Sequence, residues 1–325
     1  MTLLQLYDVA ALQEEVRDLA EQRDAVILAH NYQLPEIQDV ADYVGDSLGL
    51  SRQAAARDAS VIAFCGVHFM AETACVLSPD KTVLIPDLDA GCSLADAITP
   101  EQLAQWQAAH PGAITVMYVN TTAQIKAMTD YCVTSANAVS VVEHILREHG
   151  PDTQILFGPD MFLGAYVERR IGRPLHVWDG ECHVHAGIRP KDIEQVRAEH
   201  PDADFLIHPE CGCSTSVMEY VAAGDVDSEG VHMLSTGGML KYAGDAQPGA
   251  TAIVATEVGM LHPLREAAPD TDFIAANERA ACIYMKMITL PKLRDALRDL
   301  VHEVKVPADV AERARLPIER MIAIS

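Results

Sequence analysis

Residues 82–95 read TVLIPDLDAGCSLA: a short apolar strand, an acidic turn, then a single cysteine. The same order returns at residues 175–185, LHVWDGECHVH, and at residues 272–285, DFIAANERAACIYM. Each time the cysteine follows a few residues after the end of a predicted strand. Cys92, Cys182 and Cys282 lie 90 and 100 residues apart. A period of that size which delivers one thiol per unit points to three similar α/β units. Their strand ends converge on one shared metal centre.

The rest of the chain follows the same plan. In the first unit, Asp8 caps a helix over 8–22, and strands are expected at 25–29, 61–65 and 82–85. The region between His30 and Gly45 reads as helical, with Asp46 or Ser47 capping the next helix. In the second unit, strands are expected at 114–118, near Cys132, at 154–157 and at 175–178. In the third they fall at 204–207, 231–234, 252–255 and 272–275. His30 and Cys92 are 62 residues apart, as are Asn120 and Cys182. Glu210 and Cys282 are 72 apart, which an insertion around 224–230 accounts for. Such spacing is the mark of an internal repeat. Strands alternating with helices imply parallel sheets covered on both faces, three layers to a unit. The units are expected at 1–95, 96–188 and 189–289. Two C-terminal helices over 290–325, parted near Pro307, pack back on the body.

Composition excludes several classes. A net charge of −23 argues against nucleic acid and against an anionic membrane surface. Residues 1–10, MTLLQLYDVA, show no basic n-region, and no apolar run is long enough to span a bilayer. A cytoplasmic protein is the expectation. In that compartment the eight cysteines are read as buried residues or metal ligands rather than disulfides. Cys65, Cys75 and Cys132 are expected in the core. Cys211 and Cys213, a CxC, are read as ordinary buried residues, with metal ligation or a redox pair as the alternatives.

In parallel sheets, ligands bind beyond the carboxyl ends of the strands. The polar residues of this chain gather there. His30 and Tyr32, Tyr118 and Asn120, and His208 and Glu210 occupy corresponding places. Ser47, Ser135 and the pair Ser235-Thr236 mark the next strand end of each unit. Imidazole, phenol and carboxylate suit proton transfer on a carbonyl substrate. Hydroxyls and amides near helix N-termini suit carboxylates and phosphates. Three thiolates from distant units match neither paired zinc-ribbon spacing nor ferredoxin spacing. Around an iron–sulfur cubane they leave one iron without a protein ligand, free to act as a Lewis acid.

AHNYQ at 29–33, GDSLGLS at 45–51, PDLDAGCSLAD at 86–96, YVNT at 118–121, TSAN at 134–137, HPEC at 208–211, STGGM at 235–239 and MKMITL at 285–290 stand in that order. Together with the three cysteines, the set resembles the quinolinate synthase family, the iron–sulfur enzymes of de novo NAD biosynthesis. The resemblance runs from about residue 25 to residue 290. It implies pseudo-threefold symmetry and one [4Fe–4S] cluster per chain on Cys92, Cys182 and Cys282. It implies condensation of iminoaspartate with dihydroxyacetone phosphate to quinolinate, with release of phosphate and two waters, and functional coupling to the L-aspartate oxidase that makes the imine. His30, Ser47, Tyr118, Asn120, Ser135, His208, Glu210, Ser235 and Thr236 become substrate-binding positions. Glu210, as base, with His30, Tyr32, Tyr118 and His208 become catalytic ones. One departure is Met285, where some members carry a second cysteine. An isoprenoid diphosphate reductase shares only the general plan, and a metal sensor needs none of the strand-end His, Tyr and Glu residues.

Overall fold

A computed structural model describes residues 8–223 and 229–324. Among the described residues, twelve strands fall into three groups of four. The first is β1 (Ala25–His30), β2 (Tyr43–Gly45), β3 (Val61–Cys65) and β4 (Thr82–Leu84). The second is β5 (Ile114–Tyr118), β6 (Tyr131–Val133), β7 (Ile155–Gly158) and β8 (His176–Val177). The third is β9 (Asp204–Ile207), β10 (Val231–Met233), β11 (Thr251–Ala255) and β12 (Asp272–Ala275). Each group is a parallel sheet with one order: β2-β1-β3-β4, β6-β5-β7-β8 and β10-β9-β11-β12. The expectation of three α/β units is met. The central strands are buried almost throughout, β3 along its whole length. Such strands read as unbroken apolar runs, so VIAFC and ITVMY were legible.

The region between His30 and Gly45 is a correction. It holds a single helical turn, Pro35–Gln38, and then β2, rather than a helix up to Gly45. A strand of three residues has no room for a repeat in its pattern. It is held instead by pairing along β1, with Leu28 opposite Tyr43 and His30 opposite Gly45. Asp46 does cap the helix Ser47–Ala56, accepting the Gly49 N–H at 2.8 Å. The insertion expected at 224–230 lies largely outside the described residues.

The two tail helices are Leu290–Asp299 and Ala308–Ala323. The first packs on the N-terminal helix Val9–Gln22. The second packs on β6 and on the helices Ala123–Lys126 and His68–Leu77, so it bridges the first and second units. Ala314, Ile318 and Met321 on its inner face are fully buried. Asn137 fastens its end: the side-chain amide donates to the carbonyls of Met321 and Ile324, both at 2.8 Å. Among the described residues no helix is long and apolar enough to cross a membrane.

A second correction concerns the cysteines. Cys211 and Cys213 form a disulfide, with Cα atoms 5.1 Å apart. Both are sealed in the core of the third unit. Gly212 between them lies so close to the Ala186 backbone that a Cβ there would meet its carbonyl oxygen at 3.1 Å. Cys65 and Cys132 are core residues, as expected. Cys75 is partly buried and donates to the Val304 carbonyl.

Candidate active site

The carboxyl ends of the three sheets meet around one cavity with an empty volume of about 710 Å³, counted out into its mouth. Twelve of the thirteen site residues named from the sequence line it: His30, Tyr32, Ser47, Cys92, Tyr118, Asn120, Ser135, Cys182, His208, Glu210, Thr236 and Cys282. The thirteenth, Ser235, caps the helix Thr236–Asp245 by accepting the Gly238 N–H at 3.2 Å.

Strand register explains the grouping. His30 pairs with Gly45 and Tyr118 with Val133. Ile207 pairs with Met233, so His208 lies beside Leu234. Two residues beyond Gly45, Val133 and Leu234 come Ser47, Ser135 and Thr236. Thr236 is therefore the third-unit counterpart of the two serines. It is 3% exposed, and its Oγ1 accepts from Asn31 Nδ2 at 3.0 Å. Ser47 and Thr236 also open helices, whose unpaired N–H groups favour anions. A Cβ on Gly237, next to Thr236, would lie 2.8 Å from the Asp46 carboxylate and would have to displace it.

Glu210 is the hub. It is 3% exposed, and its Oε1 accepts from the Tyr118 hydroxyl. Its Oε2 lies 3.3 Å from Nδ1 of His185, and its Oε1 lies 3.7 Å from Nδ1 of His208. Burial alone raises a carboxyl pKa. Here the neighbouring His185 charge, and the hydrogen bond from Tyr118, outweigh burial and hold Glu210 below the usual carboxylate range. The converse holds for His185. Burial works against its charge, but the neighbouring Cys182 sulfur and the Glu210 carboxylate lift it well above the ordinary imidazole value. His30 and His208 go the other way: burial pushes each down to about 3.

The network continues through residues that the sequence reading left without a role. His185 Nε2 lies 2.8 Å from Thr256 Oγ1, which lies 2.6 Å from the Tyr32 hydroxyl. His185 also stacks on His208 at 4.7 Å between ring centres. Ser135 Oγ is 3.1 Å from His208 Nε2. Tyr118, Glu210, His185, Thr256 and Tyr32 thus make one buried chain of proton-carrying groups across the cavity. The signal for His185 was its place three residues after Cys182 in CHVH. Thr256 follows β11 directly. On the same cavity wall, Asn120 Oδ1 is buried and has no hydrogen-bond partner among the described residues, an acceptor open to a ligand.

The three cysteines fit a thiolate-bound metal centre. All are free thiols on the cavity wall. Burial, and then the proximity of the Cys182 and Cys282 sulfurs, push the Cys92 thiol far up. Burial pushes Cys282 up to about 11. Thiols that oppose one another's ionisation this way become a good donor set once a cation is among them. The backbone N–H groups of Leu94 and Ala95 face Cys92, and those of Tyr284 and Met285 face Cys282, in the same i+2, i+3 pattern. Cys182, His185 and Glu210 also present one ligand atom each within 4.8 Å of one another.

Comparison with known proteins identifies the family. The family model described as quinolinate synthetase A protein matches residues 14–323. The chain is 57% identical over 311 residues to the quinolinate synthase of Mycobacterium tuberculosis strain H37Rv, covering 95% of this chain and 88% of that one. It is equally similar to the quinolinate synthase of Mycolicibacterium paratuberculosis, with the same coverage. Against the quinolinate synthase of Mycobacterium sp. strain KMS it is 56% identical over 321 residues, 98% of this chain and 94% of that one.

Proposed function

This chain belongs to the quinolinate synthetase A family, and from that premise we propose that it condenses iminoaspartate with dihydroxyacetone phosphate. The products are quinolinate, phosphate and two waters, a step of de novo NAD biosynthesis. The observation that carries the reading is the meeting of three free thiols and a buried His–Glu–Tyr network in one cavity. The donor set fits a [4Fe–4S] cluster held by Cys92, Cys182 and Cys282. Such a cluster, when bound, supplies an iron without a protein ligand, a Lewis acid for the dehydration.

The chain's own residues supply the rest. The hydroxyls of Ser47, Ser135 and Thr236 and the Asn120 side chain bind the carboxylates and the phosphate, aided by the helix N-termini at Ser47 and Thr236. Glu210 stays ionised at neutral pH and takes the proton next to a carbonyl or imine. Tyr118 and His185 touch it on two sides, so the proton can leave by either. Thr256 and Tyr32 extend that route to the far wall. His30 and His208, kept neutral by burial, serve as hydrogen-bonding groups for the ring-closing intermediates. Coupling to an L-aspartate oxidase follows from the instability of the imine.

Iron, acid-labile sulfide and zinc, measured after anaerobic purification of wild type and Cys182→Ala, test the reading. About four irons and four sulfides per chain in wild type, lost in the variant, are expected, together with quinolinate formation from the two substrates. Zinc alone would overturn the cluster and direct attention to Cys182, His185 and Glu210, a sulfur, nitrogen and oxygen set suited to one divalent ion.

A further inference from the structure

The three sheets repeat one device at the end of their third strands. The N–H of His68 donates to Ala90, that of Met161 to Gly180, and that of Val258 to Ala280, at 2.8, 2.8 and 2.9 Å. Each acceptor stands two residues before a cavity cysteine. Each strand end is thus tied to its cysteine loop in the same way. The residue just before the donor differs: Val67, Asp160 and Glu257.

Both carboxylates turn onto the cysteine itself. Asp160 Oδ2 accepts the Cys182 N–H at 3.3 Å, and Glu257 Oε1 accepts the Cys282 N–H at 2.9 Å. Their other oxygens are also taken, by Leu163 N–H at 2.8 Å and Gly259 N–H at 2.7 Å. Both residues are buried to within 1% of complete. Val67 has no side-chain atom that could do the same for Cys92. A cap needs only one oxygen and works at the surface, as Asp8 shows with Ala11 N–H at 3.2 Å. Burying a carboxylate is costly unless its bonds are specific. The same costly arrangement stands at equivalent places in two units, each time on the residue that carries the thiol.

We propose that Asp160 and Glu257 are positioning residues for the metal centre. They fix the Cys182 and Cys282 loops before metal arrives, and they leave Cys92 as the ligand set by the metal. The inference rests on the cluster reading above. Lys286, 3.1 Å from Glu257 Oε1 and donating to the Tyr32 carbonyl at 2.5 Å, ties the Cys282 bracket to the catalytic wall. Among the described residues no lysine links the Cys182 bracket in this way; Asp160 instead feels the charges of Glu210 and His185.

The test uses the full chain with Asp160→Asn, Glu257→Gln and, as a cap that touches no cysteine loop, Asp8→Asn. Iron and sulfide content of wild type comes first. Then two rates are measured: iron loss to a chelator from the loaded protein, and alkylation of each cysteine in the metal-free protein, resolved by mass spectrometry. Asp160→Asn should speed alkylation at Cys182 by about fivefold, the worth of one ordinary hydrogen bond. Glu257→Gln should do the same at Cys282. Cys92 should not change in either, and both variants should lose iron faster than wild type and Asp8→Asn. Wild-type rates in both variants, in a protein that holds a cluster, would overturn the inference. So would equal acceleration at all three cysteines, which marks general loosening. If Asp160→Asn fails to fold, Glu257→Gln carries the test alone. A wild type without iron and sulfide would instead refute the cluster reading.

Discussion

The Glu210 carboxylate lies 3.3 Å from Nδ1 of His185, with both side chains 3% exposed or less. An ion pair this deep holds only while both partners are present. Glu210→Gln should cost about 3–5 kcal/mol of stability and, in the folded protein, about 10²- to 10⁴-fold in turnover, with the metal content retained. Steady-state quinolinate formation beside an iron assay checks this. Full turnover would remove Glu210 from the role of base.

Tyr32 and Thr256 are predicted to act together. Their hydroxyls are 2.6 Å apart, and both reach His185. Tyr32→Phe and Thr256→Val should each lower kcat, and the double variant should fall well short of the product of the two effects. Such non-additivity marks residues of one network. Independent, multiplying losses would break the proposed route.

Ser235 and Thr236 separate two roles in neighbouring residues. Ser235→Ala should cost about 1 kcal/mol of stability by loss of a helix cap, with KM unchanged. Thr236→Val, which keeps shape and removes the hydroxyl, should raise KM. Urea unfolding and kinetics on the same preparations distinguish them. A KM effect from Ser235→Ala equal to that of Thr236→Val would place both hydroxyls on substrate.

Acid sensitivity follows from His30 and His208, which burial holds at about 3. In the unfolded chain each titrates near 6.5, at about 1.4 kcal/mol per pH unit at most. Between those values the unfolded state binds more protons. The stability these residues confer is whole above about pH 6.5 and is lost as pH falls toward 3. His185 runs oppositely, its contribution fading as pH rises through its raised value. The informative measurement is therefore a difference. His30→Gln should show a flatter dependence of the urea midpoint on pH between about 4 and 6 than wild type.

Asn137 should matter to both the tail and the site. Its Oδ1 accepts from Thr134 N–H at 2.8 Å while its amide holds the end of the last helix. Asn137→Ala leaves buried carbonyls unmet and should cost about 1–3 kcal/mol. It should also raise KM, because Thr134 precedes Ser135. Thermal unfolding and kinetics test the link. Lost stability with an unchanged KM would show that the tail only braces the fold.

The three units were legible because Cys92, Cys182 and Cys282 follow strand ends at nearly even intervals, and because strands such as VIAFC are apolar throughout. The cavity wall was legible from His30, Tyr118, His208 and their i+2 neighbours. β2 was not, since three residues carry no period and its place is decided by pairing with β1. Asp160 and Glu257 carried no signal of their own in the sequence, and only contact with Cys182 and Cys282 gives them meaning. The Cys211–Cys213 disulfide ran against an expectation drawn from compartment. Composition speaks to the average cysteine and not to two thiols brought together by a tight turn at Gly212.

No unit owns the cavity: its walls come from segments spread between His30 and Met285. During synthesis Cys92 and Cys182 leave the ribosome long before Cys282. The first two sheets emerge first, yet without the tail helix that bridges them they present two bare thiols and half a wall. Only when almost the whole chain is out can the third side close. Assembly of the site is thus the last event in the protein's making, and a prematurely ended chain would bear reactive sulfur without the enclosure meant to guard it.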